Sequence, residues 1–242
     1  MEEAIELGNY LPLSFKTKSE QDYIQFLWEA FETNYTHGKY QFAFLAYHML
    51  TMSFVYFNIW QIKQAIPKDF ENGLIGFGKD VEKKLLDASS PFVFSTVNES
   101  SAMRFLKLIG CDNGKIGSYS ALVKERNDTA HSNGNIFFST QPALDAKIIE
   151  ILRVVSEIQN HSQTVVENCY RGFLISSANS EEREYADPMD QIREVLIHGN
   201  YLSQRDIDLC LNLDLSDLES GSHAEEIRRL HEMLRSTHGS ND

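Results

Sequence analysis

Apolar residues recur along this chain at spacings of three and four, and nowhere do they alternate over the length of a strand. Tyr23, Phe26, Leu27, Ala30 and Phe31 predict a helix over about Glu20–Thr33, opened by Ser19 and closed by His37-Gly38. From Phe42 to Trp60 the chain reads FAFLAYHMLTMSFVYFNIW without a charge, which predicts a long helix over about Tyr40–Ala65, apolar nearly all round and stopped by Pro67. Between Phe70 and Gly114 the pattern loosens. Gly73, Gly76 and Gly78 suit a loop, Val81–Leu86 and Ser100–Ile109 suit short helices, and Asn113-Gly114 suits a turn. A helix over Ser118–His131 would turn Tyr119, Leu122, Val123 and Ala130 inward and stop at Ser132-Asn133-Gly134-Asn135. Pro142 opens the next helix, whose stripe of Leu144, Ile148, Ile151, Leu152, Val155 and Ile158 extends toward Phe173. Beyond a polar linker over Ser176–Glu184, three short helices are predicted, Pro188–Ile197, Gln204–Leu211 and Ala224–Leu234. The expected class is all-α, with a helical bundle over residues 1–178 and a small helical C-terminal extension over 179–242.

The uncharged run approaches the roughly 20 residues that cross a bilayer. His48, Thr51, Ser53 and Asn58 within it, and no lysine or arginine cluster beside it, favour a buried core helix and no membrane. The opening Met1-Glu2-Glu3 lacks the basic and apolar regions of a secretory signal, so no export is expected. Cys111, Cys169 and Cys210 stand apart with no Cys-x-x-Cys spacing, which indicates neither a disulfide framework nor a thiolate zinc site and suits a reducing, cytoplasmic setting.

A hydrophobic share of 42% and a charged share of 24% are those of a folded globular chain. The net charge of −13 excludes a protein that wraps nucleic acid over its whole surface. That charge is unevenly placed. Residues 181–242 hold fifteen acids against six arginines, and Lys147 is the last lysine, so the extension is the acidic part and a plausible dock for a basic regulatory protein. Over 101–140, five cations oppose three acids, which leaves room for a local cationic site.

The segment Lys124-Glu125-Arg126-Asn127-Asp128-Thr129-Ala130-His131-Ser132-Asn133-Gly134 gathers an arginine, an amide and a histidine at a predicted helix end. Arginine grips a phosphate bidentately and stays charged, whereas histidine exchanges a proton near neutrality. Together they suit cleavage of a phosphodiester without a metal. At about 100° per residue, Asn127 and His131 share a face while Arg126 lies about 140° from His131. A distorted helix end or a second copy of the motif would be needed to converge them. Lys124, Lys115 and Asn133 are the flanking candidates for substrate binding. A structural role for the same side chains would pair Arg126 with Glu125 or Asp128 and let His131 cap the helix. The other histidines show no metal-ligand spacing, His48 reads as core, and neither a Walker loop nor a Gly-x-Ser-x-Gly elbow appears, so no metal or cofactor is expected.

The RNDTAH hexapeptide resembles the Arg-x4-His signature of the HEPN superfamily, and the long apolar helix before it and the long helix after it resemble that family's bundle over roughly residues 20–175. The resemblance implies an all-α HEPN-like helical bundle that dimerises, or forms a larger oligomer, to join two motifs. It implies a metal-independent endoribonuclease serving as a toxin or an antiviral-defence effector, with RNA as substrate and a 2′,3′-cyclic phosphate product. Arg126 and His131 would be the catalytic pair and Asn127 the positioning residue. The alternative is a non-catalytic HEPN-like subunit that binds RNA, nucleotide or a protein partner. Members silenced by nucleotidylation resemble Arg-x4-His-x-Tyr, and Asn133 stands where that tyrosine would be. A second Arg-x4-His, from Arg193 to His198, carries Glu194 after the arginine, a carboxylate suited to pairing with arginine and unsuited to phosphate.

Overall fold

The computed structural model describes residues 1–131, 134–218, 221 and 223–239. Among them there is no strand, and the fold is all-α. After α1 (Glu2–Ile5), α2 (Lys18–Thr36) begins two residues earlier than propensity suggests. Its cap is Thr17, not Ser19: the Thr17 hydroxyl accepts from the Glu20 amide and the Glu20 carboxylate accepts from the Thr17 amide, each at 3.2 Å. Helix α3 (Tyr40–Ala65) is buried nearly all round, as a helix apolar on every face must be. It is the one described helix long and apolar enough to cross a membrane, and 83% of its most apolar window is buried in this fold. Pro67 does not merely stop it; it opens the next helix at the position where a missing N–H costs nothing, giving α4 (Pro67–Gly73).

Helix α5 (Lys79–Leu86), a 3-10 turn (Pro91–Thr96), α6 (Glu99–Met103) and a second 3-10 turn (Arg104–Ile109) follow. Helix α7 (Asn113–Ala130) takes in Asn113-Gly114, which are its first residues and not a turn, because Asp112 caps it by accepting from the Lys115 amide at 2.8 Å. Tyr119, Leu122 and Val123 face inward as their spacing predicts, but Ala130 is exposed and Thr129 is buried in its place. Helix α8 (Gln141–Ser177) runs 37 residues, about 55 Å at 1.5 Å per residue. The last part comprises α9 (Pro188–Gln191), which continues as a π turn (Ile192–His198), then α10 (Gln204–Leu211) and α11 (Ala224–His238).

Helices α2 and α8 pack along α3 to make the main core. A second apolar cluster joins Tyr170, Phe173 and Leu174, on the distal half of α8, to Leu196, Ile207, Ile227 and Leu230 of the acidic extension. One helix thus serves both clusters. Polar bonds seat the extension on the bundle: Trp60 Nε1 donates to the Gly199 carbonyl at 2.9 Å, and the amides of Gln61 and Gln159 donate to the buried Asp206 at 3.1 and 2.6 Å. Burial raises the Asp206 carboxyl, with those donors and Ser203 opposing it.

Candidate active-site cleft

Val123 and, one turn on, Arg126 and Asn127 carry one face of α7 into a cleft of about 1050 Å³ between α3, the start of α2 and the segment leading into α6. The opposite walls are amphipathic, with Met49, Ser53 and Tyr56 from α3 and Tyr23 and Phe92 meeting edge to face at 5.2 Å. Glu99 stands at the first position of α6, where Asn98 caps the helix by accepting from the Ser101 amide at 2.8 Å and the helix dipole favours a carboxylate.

Glu99 organises this end of the cleft. One carboxylate oxygen accepts from Nε2 of His48 at 2.9 Å, and the other is ion-paired with Nη2 of Arg126. His48 is 2% exposed at its side chain, Glu99 17% and Arg126 27%, so the array dips from the cleft wall into the core. Burial pushes the Glu99 carboxyl up, but the hydrogen bonds and positive charge of His48 and Arg126 outweigh it and hold the group below its ordinary range. Burial first and the Glu99 charge second raise the hydroxyls of Tyr23 and Tyr56 above the usual phenol range, so both remain O–H donors at neutral pH. The Nε atom of Arg126 is buried with no hydrogen-bond partner, an orphan donor in the cleft wall.

The predicted site residues divide accordingly. Arg126 and Asn127 line the cleft. Arg126 is held by Glu99, 27 positions upstream, while its neighbour Glu125 goes to Lys147 at 2.8 Å. His131 closes α7 through its backbone amide, which donates to the Asn127 carbonyl at 3.1 Å; the backbone then turns extended and the side chain is exposed beyond the cleft. Within one chain Arg126 faces inward and His131 faces solvent. Lys124 is exposed on α7 outside the cleft wall. Lys115 lies eleven residues before Arg126, about 16 Å along the helix, with its ammonium 2.5 Å from Nε2 of His161. It ties α7 to α8 and does not share the cleft. Asn133 lies outside the described residues.

The second Arg-x4-His match behaves as its charges predict. Glu194 takes the Arg193 Nε at 2.9 Å and the His198 Nδ1 at 2.9 Å, so that pair is satisfied by its own neighbour. Glu99, Tyr23 and Tyr56 also line the cleft, and no sequence motif points to them. Asn98-Glu99 carries a local signal, a capping residue followed by an acid, but nothing in the sequence aims it at Arg126. Among the described residues no cluster of three or more His, Cys, Asp or Glu side chains is placed to bind a metal ion. No protein-family model, no curated protein and no solved structure matches the chain.

Proposed function

We propose that the chain is a metal-independent endoribonuclease of the HEPN type. The observation that carries this reading is the Arg126 guanidinium, which enters the wall of an aromatic cleft with its Nε unpartnered, five residues before the exposed His131. An anionic phosphate pairs with the exposed part of that guanidinium, Asn127 steadies it, and Tyr23, Tyr56 and Phe92 offer apolar faces and hydroxyl donors to the attached nucleoside. The ribose 2′-oxygen attacks phosphorus as its proton passes to a base, the bond to the 5′-oxygen breaks, and that oxygen takes up a proton. The products are a 2′,3′-cyclic phosphate and a 5′-hydroxyl, with no water consumed. Arg126 stabilises the charge on the phosphorane, and His131 moves a proton.

Because Arg126 and His131 diverge on one chain, the complete site is assembled from two copies, each lending its His131 to the other or to the rim between them. Exposed Phe42, Ile136 and Phe137 surround this end of α7 and supply apolar surface for the contact. Gln41 holds them there, its amide donating to the Thr129 carbonyl and its oxygen accepting from the Phe137 amide, both at 3.0 Å. Two cationic segments meeting without RNA repel, which makes activity depend on assembly or an activating ligand and suits a toxin or antiviral-defence effector. The acidic extension remains the candidate dock for a regulatory protein.

The test is incubation of the purified chain with total RNA in EDTA. Cleavage giving cyclic-phosphate ends is expected, with Arg126→Ala and His131→Ala each lowering the rate on the order of 10²–10⁴-fold. Cleavage undiminished in His131→Ala would overturn the reading. One observation favours a second reading, a non-catalytic subunit: Glu99 already neutralises Arg126. That subunit binds RNA or nucleotide in the cleft and leaves it intact at every protein concentration.

A further inference from the structure

A second groove, of about 550 Å³, opens on the far side of Val97 and Asn98, and these two residues line both it and the Arg126 cleft. Arg104 and Lys107, five and eight residues beyond Glu99, stand exposed on its rim. In this acidic chain Arg126, Lys147, Arg171, Arg183 and Arg193 are each paired with a carboxylate. Among the described residues Arg104 and Lys107 have no such pair, a state they share with lysines such as Lys68, Lys79 and Lys83, but these two line the groove. Two unpaired cations one turn apart repel each other, and an anion seated between them relieves that cost. The groove is apolar beneath them. Phe105 is stacked between Phe70, at 5.3 Å, and Phe77, at 5.9 Å and within 5° of parallel. Ile75, 83% exposed, stands at the lip beside Gly76, which has a φ of 100° and open space where a Cβ would be.

We propose that this groove carries the single-stranded RNA adjoining the nucleotide in the Arg126 cleft, with Arg104 and Lys107 holding successive backbone phosphates and Phe77 and Ile75 lying against a base. The inference rests on the ribonuclease reading for its ligand class. Cations over an aromatic floor are what an unpaired strand selects, since its phosphates and base faces are presented together. Continuity with the Arg126 cleft through Val97 and Asn98 favours RNA over an acidic protein segment. This protein's own extension is a poor occupant, because the second apolar cluster and the bonds from Trp60, Gln61 and Gln159 seat it on α8 and α3.

The experiment measures binding of a fluorescein-labelled single-stranded oligoribonucleotide to the full chain carrying His131→Ala, as a function of salt. Arg104→Glu/Lys107→Glu is expected to weaken binding on the order of tenfold or more and to lower the salt slope by about 1.4, two phosphates at about 0.7 each. Arg153→Glu/Arg229→Glu changes the total charge equally outside both grooves and is expected to leave that slope unmoved. Arg104→Gln/Lys107→Gln, with a thermal melt, separates lost contacts from misfolding and is expected to reproduce the lower slope with an unaltered melt. An unmoved slope in the Arg104/Lys107 variants of a protein that binds and cuts RNA overturns the groove and leaves the ribonuclease standing. A lowered slope without cleavage by the unmodified chain supports the groove and removes the ribonuclease. A chain that neither binds nor cuts RNA overturns both. Displacement of the RNA by a peptide of residues 204–218 at lower concentration than by unlabelled RNA assigns the groove to an acidic protein and overturns the proposal.

Discussion

Glu99 is the side chain on which the cleft turns, because its carboxylate ties α6 to His48 of α3 and to Arg126 of α7 at once. Replacing it with glutamine keeps the shape but removes the charge that holds Arg126 and His48. We expect Glu99→Gln to cost about 1–3 kcal/mol in urea unfolding at neutral pH. The pH dependence has a definite sign. The folded chain holds Glu99 below its ordinary value of 4.5, so the folded state binds fewer protons than the unfolded state as that range is crossed. The stabilisation is complete above that value and is lost as pH falls through the lowered one. Urea titrations at a series of acidic pH values are expected to show a steep acid limb in the unmodified protein and a shallower one in Glu99→Gln. His131 is exposed, and His131→Ala is expected to move stability by no more than about 0.5 kcal/mol. An activity loss in that variant therefore reports chemistry and not folding.

Helix α7 is the element that aims Arg126, and its direction is set at its beginning. Gly110 ends the preceding 3-10 turn at φ 84°, ψ 12°, a left-handed conformation that lets the chain turn within two residues to the Asp112 cap. A Cβ there would meet the ring of His161 only at 3.7 Å, so strain comes from the backbone and not from a clash. Gly110→Ala is expected to cost about 1–2 kcal/mol, read as a lower thermal midpoint, with a matching loss in RNA binding where α7 is displaced. Local propensity places the start of α7 late because Asn113-Gly114 favours a turn. The Asp112 cap and the Lys115–His161 bond overrule that preference, and the second of these depends on α8, 46 residues away.

At the scale of the whole molecule, the acidic extension and the bundle share α8. A chain ending at Ala178 would uncover Tyr170, Phe173 and Leu174 and would leave Trp60, Gln61, Gln159 and Glu20 without partners from residues 199–206. We expect that fragment to aggregate or to melt without cooperativity, as checked by size exclusion and circular dichroism. A monomeric fragment with a sharp melt would show that the bundle folds alone. The same packing governs how the extension would meet a partner: Asp206 is buried and Asp190, Glu194, Asp217 and Glu226 are ion-paired, while Glu181, Glu182, Glu184, Asp187 and Glu225 stand exposed.

The hydrophobic period determined the all-α class, the helical stripe of α8 and the three short helices of the extension, and with Pro67 as a stop it determined the span of α3. These are local matters: an apolar run of that length has one way to satisfy its backbone, and stripes of period 3.6 have one face to bury. The pairing within the second Arg-x4-His match was also legible, because Glu194 is near enough in sequence to reach both Arg193 and His198. Only the tertiary structure decided which way the first motif points. Arg126 had charged neighbours on its own helix, and its partner is instead Glu99, which α6 presents after α3 has brought His48 to the same place. The pairing spans 27 and 51 positions, distances over which residue spacing along one helix carries no information. What sends Arg126 inward and leaves His131 in solvent is the place where α7 rests on α3 and α6, and that is a property of the packed core.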